Sequence, residues 1–279
     1  MADTALVLGG GGPVGGAWLT GVLAGLTEAG IDLTRADVVI GTSAGAVFGS
    51  RLLSGVPATE LYERQLSGAD AVCIPVRAGQ TARFLWAALG SRDPQRSIER
   101  LARAALRART GPESEVFGTV GALLGEARHW PERELRIASV DTRTGNVEVF
   151  DARSGVTLLE AVTASCAVPV VWPPVTVAGR RWMDGGSRST ANLPLARGYR
   201  RVLAVVPVPH AVGPHPSAQQ QAADLSDHGA RVILLSPDHA ARRVMGRNMV
   251  DDTRRPAAAR AGHAQATALA ASVAEFWYD

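Results

Sequence analysis

The chain contains no lysine: all 29 of its basic residues are arginine. Schiff-base chemistry, pyridoxal phosphate attachment and a P-loop lysine are therefore excluded. Cysteine is almost absent too. Cys73 and Cys166 lie far apart in sequence and suggest neither a disulfide framework nor a zinc site. Free, mostly buried thiols in a reducing compartment are the expectation. The six histidines are scattered, with no H-x-x-x-H or H-E-x-x-H spacing, so no metal is expected. No apolar run reaches the length of a membrane span. Met1 to Thr4 is acidic, lacks the positive start of a signal peptide and runs straight into an apolar segment. A cytoplasmic protein is expected. The net charge of +3 and pI of about 9.4 are too mild to argue for nucleic acid. There are no repeats and no linker. The 279 residues, 46% hydrophobic, suffice for one α/β domain spanning 1–279.

Against these absences stands Gly41-Thr42-Ser43-Ala44-Gly45, a G-x-S-x-G pattern. Asp37 to Ile40 reads as a short buried strand and Ala44 to Leu53 as a helix. A serine between them sits on a sharp strand-to-helix turn, where Gly41 and Gly45 remove Cβ atoms that would collide. Its Oγ would stand over a helix N-terminus, where developing negative charge is stabilised. The plainer reading is an N-capping serine in a glycine-rich turn.

Upstream, Ala5 to Leu8 reads as the first, central strand. It opens into the glycine loop Gly9 to Gly16, then a helix from Ala17 to near Gly30. Such a loop offers bare backbone N–H groups to an anion. Gly10-x-Gly12-x-x-Gly15 fits the dinucleotide fingerprint, with Asp32 or Asp37 near the distance of its acidic partner. The same N–H groups could instead face the serine from the neighbouring strand as an oxyanion hole.

Residues 55–130 read as a helical insert or lid, with helices over Pro57–Leu66, Thr81–Leu89, Pro94–Arg109 and Val116–Ala127. In Ser97–Arg109, Ile98, Leu101, Ala102, Ala105 and Leu106 share one face, while Arg96, Arg100, Arg103, Arg107 and Arg109 occupy the others. This is either an ordinary surface helix or a cationic cap leaning on anionic lipid near a substrate entrance. Glu134 to Val140 and Val147 to Phe150 form a hairpin, Thr157 to Cys166 a helix. A second hairpin, Val175–Val177 with Arg181–Met183, delivers Asp184-Gly185-Gly186. An aspartate leaving a strand into Gly-Gly lets another segment approach closely; it also reads as an ordinary Asp-Gly turn. Strands at Arg200–Val206 and Arg231–Leu235, and a closing helix from Arg254 to Trp277, complete the chain.

Glycine loop, serine elbow and Asp-Gly-Gly, in that order, resemble the patatin-like phospholipase family in its shorter bacterial form. The resemblance runs from Leu6 to about Leu235. Gly9–Gly15 resembles the family's oxyanion motif, Gly41–Gly45 its nucleophile elbow and Asp184–Gly186 its Asp-Gly-Gly/Ala motif. Ala164-Ser165-x-x-x-Pro169 and Trp172–Val175 resemble the segment before that aspartate. The resemblance implies a three-layer α/β/α sandwich with a mostly parallel sheet. It also implies a Ser-Asp dyad without histidine: Ser43 as nucleophile, Asp184 as general base, and Gly10, Gly11 and Gly12 as oxyanion donors, with Gly15, Gly41, Gly45, Gly185 and Gly186 supporting. The substrate would be a lipid or acyl ester, with no cofactor and with peripheral contact to the inner membrane face. Val14 departs from the Arg or Lys usual in the loop, and Pro13 removes one N–H. The readings that compete are a Ser-His-Asp esterase using His210, His215 or His228, and a lipid-binding or regulatory protein that has lost turnover.

Overall fold

The computed structural model describes residues 3–278 other than 73, 75 and 77. Among them, eight strands form one sheet: β1 (Thr4–Leu8), β2 (Val38–Gly41), β3 (Glu134–Asp141), β4 (Val147–Phe150), β5 (Val175–Val177), β6 (Arg180–Asp184), β7 (Arg201–Val205) and β8 (Arg231–Leu235). The run β8-β7-β1-β2-β3 is parallel throughout. These strands read as near-continuous apolar segments because both faces are covered, as parallel sheets require.

Among the described residues, ten α-helices accompany the sheet: α1 (Gly12–Glu28), α2 (Ala44–Leu53), α3 (Ala58–Ser67), α4 (Ala78–Leu89), α5 (Pro94–Leu106), α6 (Glu113–Leu124), α7 (Leu158–Cys166), α8 (Ala218–Asp227), α9 (His239–Met245) and α10 (Arg255–Tyr278). Alternation along β1 sorts them. Leu6 and Leu8 face a core built with α1, α2, α6, α7 and α10; Ala5 and Val7 face a second core with α8. A third cluster packs Ala87 of α4 and Ile98, Leu101 and Ala102 of α5 against Val140 and Met183. The chain is thus a mixed α/β sandwich of three layers. Within the segment 55–130, α3 and α6 contribute to the main core, while α4 and α5 contribute to the third cluster.

The closest packing in the main layer is between α1 and α10. A Cβ at Gly21 would lie 2.0 Å from the Ala259 carbonyl oxygen, and one at Gly262 2.1 Å from that of Trp18. Backbone cannot yield as a side-chain tip can. Gly21→Ala is expected to destabilise the fold by at least ~2 kcal/mol, read by denaturant unfolding, despite alanine's better helix propensity.

Strand β3 outruns β2, and this positions the site. Its first half pairs with β2, ending with Ile137 opposite Gly41; its last residues pair antiparallel with β6, where Ser139 lies opposite Asp184. Ile137 and Ser139 also pair with Phe150 and Glu148 of β4. A strand has two edges, so β4 holds one, and β2 and β6 share the other. They run toward each other along it. Their C-terminal residues, Gly41 and Asp184, stop on either side of the level of Ala138.

Candidate active site

Ser43 follows β2 after Thr42 and occupies the N-cap position of α2 with φ 52° and ψ −117°, a left-handed conformation disfavoured for a residue with a Cβ. It does not act as a cap: its side chain makes no cap hydrogen bond. The tightness of the elbow is measurable. A Cβ at Gly45 would lie 2.0 Å from the Leu8 carbonyl oxygen, and one at Gly41 2.6 Å from the Ala46 Cα. Ser165 Oγ accepts the Ser43 N–H at 2.9 Å and donates to the Ala138 carbonyl at 2.6 Å. It thereby ties the elbow to the rung of β3 between the two strand ends.

Asp184 arrives one residue further along β3, opposite Ser139, and is 4% exposed. Its two oxygens divide the work. Oδ1 accepts the Gly186 N–H at 2.6 Å, which is the ordinary Asp-Gly turn. Oδ2 is buried with no partner in full hydrogen-bond geometry. The Ser43 hydroxyl lies near enough to the Asp184 carboxyl to oppose the rise in its pKa. Catalytic hydrogen bonds are often long or poorly aligned before substrate binds. Burial raises the Asp184 pKa to about 6, against the opposing hydrogen bonds from Ser43 and the Gly186 N–H. A Cβ at Gly185 would lie 2.3 Å from the Ala138 carbonyl oxygen, so glycine there permits the approach.

The glycine loop closes over this pair. A Cβ at Gly10 would lie 3.2 Å from the Ser43 Cβ. However, the Gly10 N–H donates to the Thr190 carbonyl at 2.8 Å, so it is not available to an oxyanion. The set of three glycine donors expected from the sequence narrows to Gly11 and Gly12, whose N–H groups make no hydrogen bond among the described residues. Gly15 packs on Pro207, where a Cβ would come within 2.9 Å. Val14 is fully buried in the main core, and its N–H donates to the Met249 carbonyl at 3.0 Å. Position 14 therefore faces apolar packing here, which explains valine in place of a cation.

Three further residues belong to the site. Ala44 N–H, at the first turn of α2, has no partner among the described residues and points out of the helix N-terminus. Asn192, at φ 50°, donates to Thr42 Oγ1 at 3.0 Å, to the Ser189 carbonyl at 2.8 Å and to the Gly185 carbonyl at 3.3 Å. It clamps the elbow to the Asp184 loop. The Cys166 thiol touches the Ser43 hydroxyl, and burial, with the Asp184 charge beside it, pushes its pKa far up. It is an inert wall rather than a nucleophile. Only the G-x-S-x-G context hints at Ala44. Cys73 lies outside the described residues.

Ser43 opens into a cleft of about 110 Å3, open at its mouth and walled by Val47, Phe48, Val116, Val120 and Leu123. Among the described residues, Arg255 is the charged one at its wall, and that guanidinium is turned to Gln65, the Asp70 carbonyl and Asp252. No histidine lines the cleft among the described residues. His210 and His228 are exposed; His215 is buried, with its pKa lowered to about 4 by burial and by Arg188. The dinucleotide reading lacks its acidic partner: Asp37 accepts the N–H groups of Asp3 and Thr4, and Asp32 caps a short turn through Thr34.

Comparison with known proteins bears on the family and the fold. No curated protein sequence matches the chain. VipD from Legionella pneumophila shares its fold, with a TM-score of 0.51 and 15% identity over 98% of this chain and 67% of VipD. The type III effector protein ExoU aligns with a TM-score of 0.43 and 14% identity over 100% of this chain but 54% of its own length. The family model for patatin-like phospholipases matches residues 6–197, from β1 through the loop after Asp184. With more than half its length so matched, the chain belongs to the patatin-like phospholipase family.

Proposed function

We propose that this protein is a serine acyl hydrolase that cleaves carboxylic esters of lipids, with Ser43 as nucleophile and Asp184 as base. The observation that carries it is the meeting of a strained serine, which lines an apolar cleft, and a desolvated carboxylate behind it. A carboxylate is a weak base for a serine hydroxyl, but burial raises its proton affinity. Asp184 Oδ2 takes the proton as Ser43 Oγ bonds to the acyl carbon. The carbonyl π electrons move onto oxygen, and the N–H groups of Gly11, Gly12 and Ala44, with the α2 dipole, stabilise that anion. Collapse breaks the bond to the alkoxy group, which leaves as the alcohol with the proton from Asp184. A water then repeats the sequence, losing its proton to Asp184 and releasing the fatty acid. The apolar walls favour a long acyl chain over a charged one.

A fluorophosphonate probe is expected to label Ser43, read by peptide mass spectrometry, and the protein to hydrolyse a panel of acyl esters. Absence of both would overturn the assignment. Single replacement of His210, His215 or His228 by Ala is expected to preserve turnover; loss in one of them would restore the triad reading.

A further inference from the structure

We propose that the α4–α5 hairpin is a docking surface for an anionic lipid bilayer, placed beside the segment 168–171 that walls the Ser43 cleft. Residues 78–109 hold seven arginines against Asp93 and Glu99 alone, a net +5 in a chain whose total is +3. The rest of the protein is therefore net negative, so the chain's net positive charge comes from this hairpin. These cations are not neutralised at home. Among the described residues, the one ion pair they make, Arg103 with Glu99 at 3.9 Å, is exposed on both sides and contributes little.

Beside the charge lies an apolar ridge. Leu85, Trp86 and Leu89 of α4 are 48%, 70% and 65% exposed, and their spacing puts them on adjoining positions of the helix. Trp86 is the exposed tryptophan among the described residues, and the Arg100 guanidinium sits 4.6 Å from its ring centre. Arg83, Arg103 and Arg107 line the groove next to that ring. Large apolar side chains standing among cations are the pattern of an element that lies in a membrane interface, where the rings and leucines enter the acyl boundary and the guanidiniums meet phosphates. A water-exposed helix with no partner would not keep these three residues free of cost to solubility.

The position has a consequence for the cleft. The arginine groove continues past Arg107 and Arg109 to Val170, whose carbonyl accepts Gln80 Nε2 of α4 at 3.1 Å. Val168 and Val171, on either side, line the cleft that holds Ser43. A bilayer on the hairpin would thus lie against the segment that walls the acyl site. The proposal draws on the lipid-hydrolase reading for the choice of a bilayer as partner, but its test does not use turnover.

The test is flotation of the full-length Ser43→Ala protein with phosphatidylcholine vesicles, with and without phosphatidylglycerol. Binding is expected with the anionic lipid and to fall with added salt. Neutralising Arg83, Arg103 and Arg107 together to Gln is expected to weaken binding about 100-fold. Replacing Trp86 and Leu89 by Ala is expected to weaken it about tenfold or more. Thermal unfolding guards against misfolded variants. Lipids brominated in the acyl chain are expected to quench fluorescence in the parent but not in Trp86→Phe. Equal binding to neutral and anionic vesicles, or binding indifferent to both sets of substitutions, would overturn the proposal. So would self-association lost in the Trp86 and Leu89 variant without any vesicle binding, or binding of nucleic acid alone. Failure of ester hydrolysis would leave these outcomes readable.

Discussion

Ser43→Ala is expected to lower kcat/KM for a soluble acyl ester by about 10^4-fold or more while leaving stability nearly unchanged. Removal of the attacking oxygen abolishes the covalent route, and what remains is the contribution of the oxyanion donors to direct attack by water. Stability should hold because the hydroxyl does little for the fold. It is not the cap of α2, and Ser165, not Ser43, ties the elbow backbone to β3. Alanine retains a Cβ, so the positive φ of 52° costs both residues alike. The measurement is steady-state hydrolysis beside a thermal melt. Turnover retained by a folded Ser43→Ala protein would remove the nucleophile from the mechanism.

Asp184→Asn is expected to move activity and stability in opposite directions. Loss of the base should cost about 10^2–10^4 in turnover. In the wild type, kcat/KM should rise with pH through an apparent pKa near 6, since the base works only when ionised. The stability effect follows from the same shift. Burial raises the carboxyl pKa from 3.8 to about 6, so the folded state holds its proton more tightly than the unfolded chain. The stabilisation that the protonated form enjoys is complete below pH 3.8 and is lost as pH rises through 6. A shift of about two pKa units corresponds to ~3 kcal/mol above that window. Asparagine keeps the acceptor for the Gly186 N–H and carries no charge. The variant should therefore melt higher than wild type at pH 8 and alike at pH 3.5. A variant less stable than wild type at pH 8 would mean that the carboxylate is not desolvated there.

Much of this was legible from the residues, for identifiable reasons. The helix Ala44–Leu53 and the strands Val147–Phe150 and Arg231–Leu235 have the bounds their patterns imply, because sharp turns flank them. Helix α1 begins at Gly12, five residues before the apolar run suggests, because a glycine loop with a proline in the first turn starts a helix without apolar periodicity. Helix α5 ends at Leu106, not Arg109, and Leu106 is 49% exposed although it fits the apolar face. The short α9 lacks a periodic stripe; only Asp238, accepting the Ala241 N–H, announces it. At the site, residue types and spacing pointed to Ser43 and Asp184. What spacing cannot convey is which N–H groups are already taken. The Gly10 donor is occupied by a carbonyl 180 positions away, and the clamp by Asn192 crosses 150 positions to Thr42. Such partners are set by strand register, which the local sequence does not encode.

The shared edge of β3 has a consequence for how this site can change over time. Ser43 and Asp184 are separated by a length of backbone rather than by the size of any side chain. The span from Ile137 to Ser139 acts as the spacer. Point substitutions facing the helices leave that spacer intact. One residue gained or lost within it would displace the carboxylate by about 3.3 Å and turn it to the far face of the sheet. Insertions and deletions should therefore accumulate in the loops of this chain and be purged from those three residues, whatever their identities.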